Sequence, residues 1–149
     1  MVEIRRASLQ DAETLIAFNI EMARETEDKD LEPAVISAGV RRLLESESDG
    51  FYLIAGVSGE IAGSLMVTTE WSDWRNGFFW WIQSVYVRPA HRRGGIYSDL
   101  YARVKALAAD RDDVFGFRLY VEKSNAGARR AYEALGMRET DYRLYEEPM

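Results

Sequence analysis

The sequence predicts an α/β fold, a central sheet covered by helices on both faces. Three observations lead there. Short apolar strand-like runs and amphipathic helix-like stripes alternate along the chain in the order βααβββαβαβ. The run from Phe78 to Val87 is apolar or aromatic on both faces, which suits a central strand covered on both sides. The chain of 149 residues, 47% apolar and 30% charged, has the size and composition of one folded domain. No repeat, low-complexity segment or linker divides residues 1–149, so a single domain is expected.

Val2 to Arg6 reads as a short strand. Ser8 then caps a helix, with Asp11 three residues on favouring its positive end. Ala12, Leu15, Ile16, Met22 and Ala23 give that helix its apolar stripe. A polar break, ETEDKDLEP, follows. Pro33 suits the first turn of a second helix, striped by Ile36, Val40, Leu43 and Leu44 and ended at Asp49-Gly50.

Phe51 to Val57 and Ile61 to Thr69 read as strands joined by a turn at Ser58-Gly59. WSDWRNG reads as a loop with a turn at Asn76-Gly77, leading into the Phe78–Val87 strand. Gly95 to Asp110 is a helix, with Leu100, Val104 and Leu107 inward. Phe117 to Val121 is a strand. Asn125 to Leu135 is a short helix capped by Gly136, and Tyr142 to Tyr145 form a last strand.

Bulk properties exclude several functions. Cysteine is absent, so disulfides, thiolate metal sites and an acyl-cysteine step are ruled out. The lone histidine, His91, cannot build a metal site, and none is expected. A net charge of −6 disfavours a general nucleic-acid binder, which needs a broad basic face. The longest strongly apolar run, GFFWWI, is far short of the roughly 20 residues that cross a bilayer. The start, MVEIRRASLQDAE, turns polar where a signal peptide needs its apolar stretch. A cytoplasmic protein with no membrane partner is expected.

Against this acidic background, VRPAHRRGGIYSDL gathers positive charge and bare backbone where a strand meets a helix. A phosphate group asks for free backbone N–H groups, the positive end of a helix and nearby cations. Gly94 and Gly95 let the backbone approach closely. Arg92 and Arg93 add donors suited to phosphate oxygens. Charge-assisted bonds contribute roughly 1.5–3 kcal/mol each, so three or four suffice for micromolar binding of a diphosphate. Taken alone, RRGG is also compatible with a solvated basic loop. Walker and dinucleotide motifs are both absent.

The longer pattern is more specific. VxPxxRRGGIY opens a helix after a buried strand, and LYVEKSNAGARRAYEALGM follows about two elements later. Together with IRRASLQDAE and the element order, this resembles the GNAT superfamily of N-acetyltransferases over nearly the whole chain. The resemblance implies a GNAT fold with a mixed, mostly antiparallel sheet, and acetyl-coenzyme A as cosubstrate. The family's phosphate motif, Gln/Arg-x-x-Gly-x-Gly/Ala, here reads Arg92-Arg93-Gly94-Gly95-Ile96-Tyr97. Tyr97 departs from the small last residue, though its amide still belongs to the first helical turn. The resemblance further implies that backbone groups of Val85, Tyr86 and Val87 pair with the pantetheine arm as an added strand would. The amides from Arg93 through Gly94, Gly95 and Ile96 to Tyr97, with the Arg92 side chain, would hold the pyrophosphate. The central strand and its neighbour would splay apart beyond this point to seat the acetyl group.

Amide synthesis from a thioester needs a neutral amine, a polarised carbonyl and a proton for the departing sulfur. Without cysteine, direct attack by the acceptor amine is the natural route. Tyr132 is the candidate acid. It follows Asn125 by seven residues, about two helical turns, so both lie near one helix face. The family pattern N-x-x-A-x-x-x-Y-x-x-L-G is met by Asn125, Ala128, Tyr132, Leu135 and Gly136. It implies the Tyr132 hydroxyl beside the sulfur and Asn125 beside coenzyme A. Asn125 also suits a helix cap. Glu70, at the end of its strand, is the candidate base acting through a water, and Glu122 is a weaker one. Trp71 and Trp74 suit an acceptor pocket or a homodimer contact. The acidic run from Glu25 to Glu32 suits a cationic amine, or simply solvent. Two other readings stand beside N-acetyl transfer: a coenzyme A-binding regulatory module and a small RNA-binding domain using RRGG.

Overall fold

Asp11 sets the start of the first helical layer. In the computed structural model, which describes residues 1–149, strand β1 (Val2–Arg6) is followed by a 3-10 turn at Leu9–Asp11 and helix α1 (Ala12–Glu27). The Asp11 carboxylate accepts the Ser8 backbone N–H at 2.8 Å and two bonds from the Arg5 guanidinium, both at 2.8 Å. The expected capping pair is thus reinforced by an arginine from the preceding strand.

Helix α2 (Pro33–Glu45) starts on its proline. Buried Ala12, Leu15 and Ile16 of α1 and Val40 and Leu43 of α2 meet Tyr52 and Ile54 of strand β2 (Gly50–Val57). Two amphipathic stripes therefore close over one face of the sheet. Phe18 and Asn19 are also buried on α1. Asn19 sits comfortably there because its side-chain amide donates to the Leu15 carbonyl at 2.8 Å.

Strands β3 (Glu60–Ser72) and β4 (Gly77–Val87) continue the sheet, helix α3 (Ile96–Ala109) crosses it, and β5 (Val114–Leu119) completes it. The order is β1-β2-β3-β4-β5. The first four strands are antiparallel, and β5 runs parallel to β4. β4 lies between β3 and β5, as its two apolar faces predict. Helix α3 covers the face opposite α1 and α2. Its Tyr101 meets Phe117 edge-on, with centroids 5.8 Å apart, and Phe117 is in register with Trp80, which packs on Phe51. Phe51 alternates with Tyr52 and so points away from the α1–α2 layer. The inward residues of α3 are Ile96, Leu100, Tyr101, Val104 and Ala108, while Leu107 is only half-buried.

Three expectations shift. β3 extends through Trp71 and Ser72, so the loop shrinks to a tight turn and Glu70 lies inside the strand. Cross-strand pairs Trp71↔Phe78 and Ser72↔Gly77 account for the extension. β5 starts at Val114 and ends at Leu119, earlier than expected. Tyr142 to Tyr145 form no strand. They make no ladder bonds, and Tyr142 and Tyr145 are 80% and 90% exposed. Their apolar pattern suits a sheet, but residues 138–149 join none within the chain.

The chain divides into two compact units, Met1–Leu119 and Tyr120–Met149. The second contains helix α4 (Ala126–Ala134). Gly136, at φ 100, ends α4 in a left-handed cap, with Met137 N–H donating to the Tyr132 carbonyl at 3.0 Å. No helix is long and apolar enough to cross a membrane.

The Arg5 guanidinium holds the Asp11 carboxyl below the usual aspartate range. Its contribution to stability is therefore complete above the ordinary value, roughly 3.9, and is lost as pH falls through the lowered folded value. Asp11→Asn should cost about 1–3 kcal/mol at neutral pH. Urea titrations across pH should show that penalty shrinking toward acid.

Candidate active site

The end of β4 is where the sheet opens. Its pairing with β5 runs from Phe78↔Val114 to Ile82↔Leu119 and stops. From Gln83 to Val87, β4 has only β3 as a strand partner. Within that stretch the register slips. Gln83 opposes Met66 and Tyr86 opposes Ser64, so Ser84 and Val85 share the space facing Leu65. Ser84 takes a φ of 50 to make this bulge. A bulge bends its strand and increases the local twist. The backbone of Val85, Tyr86 and Val87 therefore lies on an open strand edge, which can accept an extended ligand as an added strand. Gly63 keeps β3 close behind it, since a Cβ there would stand 2.7 Å from the Tyr86 carbonyl oxygen.

Beyond Val87 the chain turns through Pro89–His91 and enters α3. Arg93 and Gly95 both take positive φ, 67 and 82. The first backbone bond of the helix runs from Asp99 N–H to the Gly95 carbonyl at 3.0 Å. The N–H groups of Ile96 and Ser98 thus have no helical acceptor, and those of Arg93, Gly94 and Gly95 make no backbone bond. Successive N–H groups around left-handed residues form an anion-binding concavity, and the helix dipole adds to it. Nothing lies within 4 Å of the Cβ position at Gly95. Buried Ile96 anchors the first turn, at 4% exposure. The Tyr97 ring stacks on Tyr101, with centroids 6.1 Å apart and planes 2° from parallel, so its bulk runs along the helix.

The two arginines differ. Arg93 makes no ion pair. Arg92 is already engaged: its Nε donates to the Val87 carbonyl at 2.9 Å, its Nη2 donates to Glu25 at 2.7 Å, and its guanidinium lies 5.6 Å from the Tyr86 ring centre. Tyr86 in turn packs on Phe18, 4.9 Å between centroids. The last turn of α1 is thereby tied to the end of β4. Burial and the Glu25 charge raise the Tyr86 hydroxyl above its ordinary value. A cavity of about 610 Å³ opens alongside, lined by Thr14, Phe18, Glu21, Tyr86, Arg88 and Pro89 among others. The acidic run is partly used internally, because Asp30 takes Arg24 at 3.1 Å as Glu25 takes Arg92.

Glu70 stands elsewhere on the sheet. It pairs in register with Phe79, four residues from the level of Gln83, or about 13 Å at the strand rise. Its Oε1 accepts the Trp81 indole N–H at 3.0 Å and an Arg118 N–H at 2.9 Å. Arg118 also lies 3.6 Å over the Phe79 ring. Nearer the bulge, Gln83 donates to the Thr68 hydroxyl at 2.6 Å. Trp71 and Trp74 are 59% and 90% exposed. Glu122 is drawn to its own turn, where it accepts the Ser124 backbone N–H at 2.9 Å, and His91 faces Glu60 at 3.5 Å.

In the second unit, Asn125 caps α4, its side-chain oxygen accepting the Ala128 N–H at 3.1 Å. Tyr132 lies two turns along and is half-buried. Burial raises its hydroxyl above the ordinary tyrosine value, so it keeps its proton at neutral pH.

Sequence reading missed the Ser84 bulge, the Glu25–Arg92 pair and the Glu70–Trp81–Arg118 cluster. The first left no residue signal, because serine is no bulge marker. The others join residues 67 and 48 apart in the chain.

A family model described as the acetyltransferase (GNAT) family matches residues 11–137, across both units. The chain is similar to a possible acetyltransferase from Clostridium difficile 630, with 44% identity, TM-score 0.93, and coverage of 100% of this chain and 98% of that one. It shares its fold with a predicted acetyltransferase with acetyl-CoA from Clostridium acetobutylicum, at 18% identity, TM-score 0.81 and coverage of 99% and 96%. An aminoglycoside acetyltransferase from an uncultured soil metagenomic sample matches at 26% identity, TM-score 0.79 and coverage of 100% and 99%. No curated protein matches the chain.

Replacing Gly95 by alanine should cost about 1–2 kcal/mol, the penalty of a Cβ in the left-handed region. Because the space around it is open, the loss should show in urea midpoints with the far-ultraviolet dichroism unchanged.

Proposed function

The chain belongs to the GNAT family of acetyltransferases, and from that premise we propose that it moves the acetyl group of acetyl-coenzyme A onto an amine by direct attack with both substrates bound. The carrying observation is the run of backbone N–H groups from Arg93 to Ile96 without a backbone acceptor, set directly after the β4 edge that β5 leaves unpaired. Residues and ligand fit: a diphosphate asks for such a concavity, and an extended amide-bearing arm asks for such an edge. When bound, acetyl-coenzyme A supplies an activated thioester carbonyl and a sulfur leaving group.

The chain's own residues do the rest. The amides of Arg93, Gly94, Gly95, Ile96 and Tyr97 hold the diphosphate, with Arg93 as the free cation. Arg92 joins them by giving up or sharing Glu25. The backbone of Val85, Tyr86 and Val87 aligns the arm, and Asn125 borders it. Tyr132, kept protonated by burial, gives its proton to the departing sulfur. The amine must be neutral to attack. Glu70, whose carboxylate accepts bonds from Trp81 and Arg118, is the proposed acceptor of that proton. Its distance along β3 calls for a chain of waters, with Oε2 as the receiving atom. The residues form one acetyltransferase domain, as the span of the family match supports.

Incubation with acetyl-coenzyme A and a broad amine panel, read by mass shift, tests the reading. No acetylated product from any amine would defeat it. Tyr132→Phe should lower turnover by about 10²–10⁴, the usual worth of a positioned acid, with cofactor affinity unchanged by calorimetry. Arg92→Ala should weaken coenzyme A binding roughly tenfold, about 1.4 kcal/mol. Unchanged affinity would remove Arg92 from the phosphate site.

A further inference from the structure

Arg92 covers part of the strand edge that precedes it. The Val87 carbonyl and the Arg88 N–H belong to one trans peptide, so they point in opposite directions. The Arg88 N–H donates to the Ala62 carbonyl of β3 at 2.8 Å, which turns the Val87 carbonyl to the side that β5 leaves unpaired. The Tyr86 carbonyl instead faces β3, beside Gly63. Val87 therefore carries the acceptor at this end of the open edge, and Arg92 Nε donates to it at 2.9 Å. Next to it on the guanidinium, Nη2 donates to Glu25 at 2.7 Å. Nε and Nη2 belong to one rigid planar fork, so the two contacts are made and lost together. The pair is partly exposed at both side chains, and such pairs are weak enough to exchange for another anion.

We propose that Arg92 selects the acyl donor. Held by Glu25, it covers the Val87 carbonyl against a thioester of pantetheine alone. A diphosphate seated at the start of α3 draws the fork away and uncovers that carbonyl for the arm. This rests on the coenzyme A reading above and adds which donors are refused. The reason is what each ligand returns to the guanidinium. A bare pantetheine arm brings an N–H for Val87 but no anion, so it would leave the Arg92 charge without either acceptor. A diphosphate replaces the Glu25 carboxylate and collects the corner amides as well.

Chemical-shift titrations of the full chain with coenzyme A and with pantetheine test this. The wild type should bind coenzyme A about a hundredfold more tightly or better, the scale of two charge-assisted bonds. Arg92→Ala should move the affinities in opposite directions, coenzyme A weaker and pantetheine tighter, each by roughly tenfold. Arg92→Lys keeps a cation without the fork. It should also tighten pantetheine, and serves if alanine disturbs the corner. Glu25→Gln frees the fork and should tighten both ligands severalfold. Glu27→Gln, the same charge change two residues on in α1, should move neither. Equal wild-type affinities overturn the proposal. So do Arg92 variants that weaken both ligands alike or leave pantetheine unmoved, or a Glu25→Gln response no larger than that of Glu27→Gln. With coenzyme A still bound, those results leave the acetyl-transfer reading standing. A chain that binds neither ligand overturns both.

Discussion

The pairing of β4 with β5 ends at Ile82 and Leu119, and the unpaired backbone at the end of β4 depends on that interruption. A sheet zipped to its end would have buried the edge of Val85, Tyr86 and Val87 in ladder bonds. The bulge at Ser84 and Val85 bends β4 just after the last shared rung. β5 ends at the last shared rung, so β4 from Gln83 onward carries backbone donors and acceptors with no strand partner on that side. The same strand then delivers the chain to the turn before α3. A strand edge without a partner and a helix start with bare N–H groups therefore follow one another in a single continuous segment.

The electrostatics of this corner are local. The chain as a whole is acidic, with net charge −6. Positive potential at the corner is thus left to a handful of groups. Most arginines with carboxylate partners are spoken for: Arg5 by Asp11, Arg24 by Asp30, Arg111 by Asp113 and Arg118 by Glu70. At the corner itself, Arg92 has a carboxylate partner and Arg93 has none. The Glu25–Arg92 pair, 36% and 43% exposed at its two side chains, joins the end of α1 to the corner. Pairs so exposed contribute little to stability. Its importance lies in which anion Arg92 faces.

Legibility in the sequence tracked the range of the interactions. Helices α1, α2 and α3 were readable because their stripes repeat within a few residues. The corner was readable because its cations and glycines are consecutive. Asn125 could be read both as cap and as ligand contact, and its capping bond to Ala128 spans only three residues. The exact ends of β3 and β5 were less legible, because strand length is set by neighbours such as Phe78 and Gly77 rather than by the strand itself. The segment from Tyr142 to Tyr145 shows the limit. Its pattern suits a strand, yet a strand exists only where an edge receives it.

By itself the sequence determined the layered α/β class, the central position of the aromatic strand and the strand-to-helix corner with its arginines and glycines. These follow from periodicity, composition and backbone freedom, which are properties of neighbours in the chain. Only the tertiary structure decided where β4 parts from β5, that Arg92 is shared with Glu25, and that Glu70 is held by Trp81 and Arg118 some way from the bulge. Each of those depends on register and on residues dozens of positions apart, brought together by packing that no local pattern encodes.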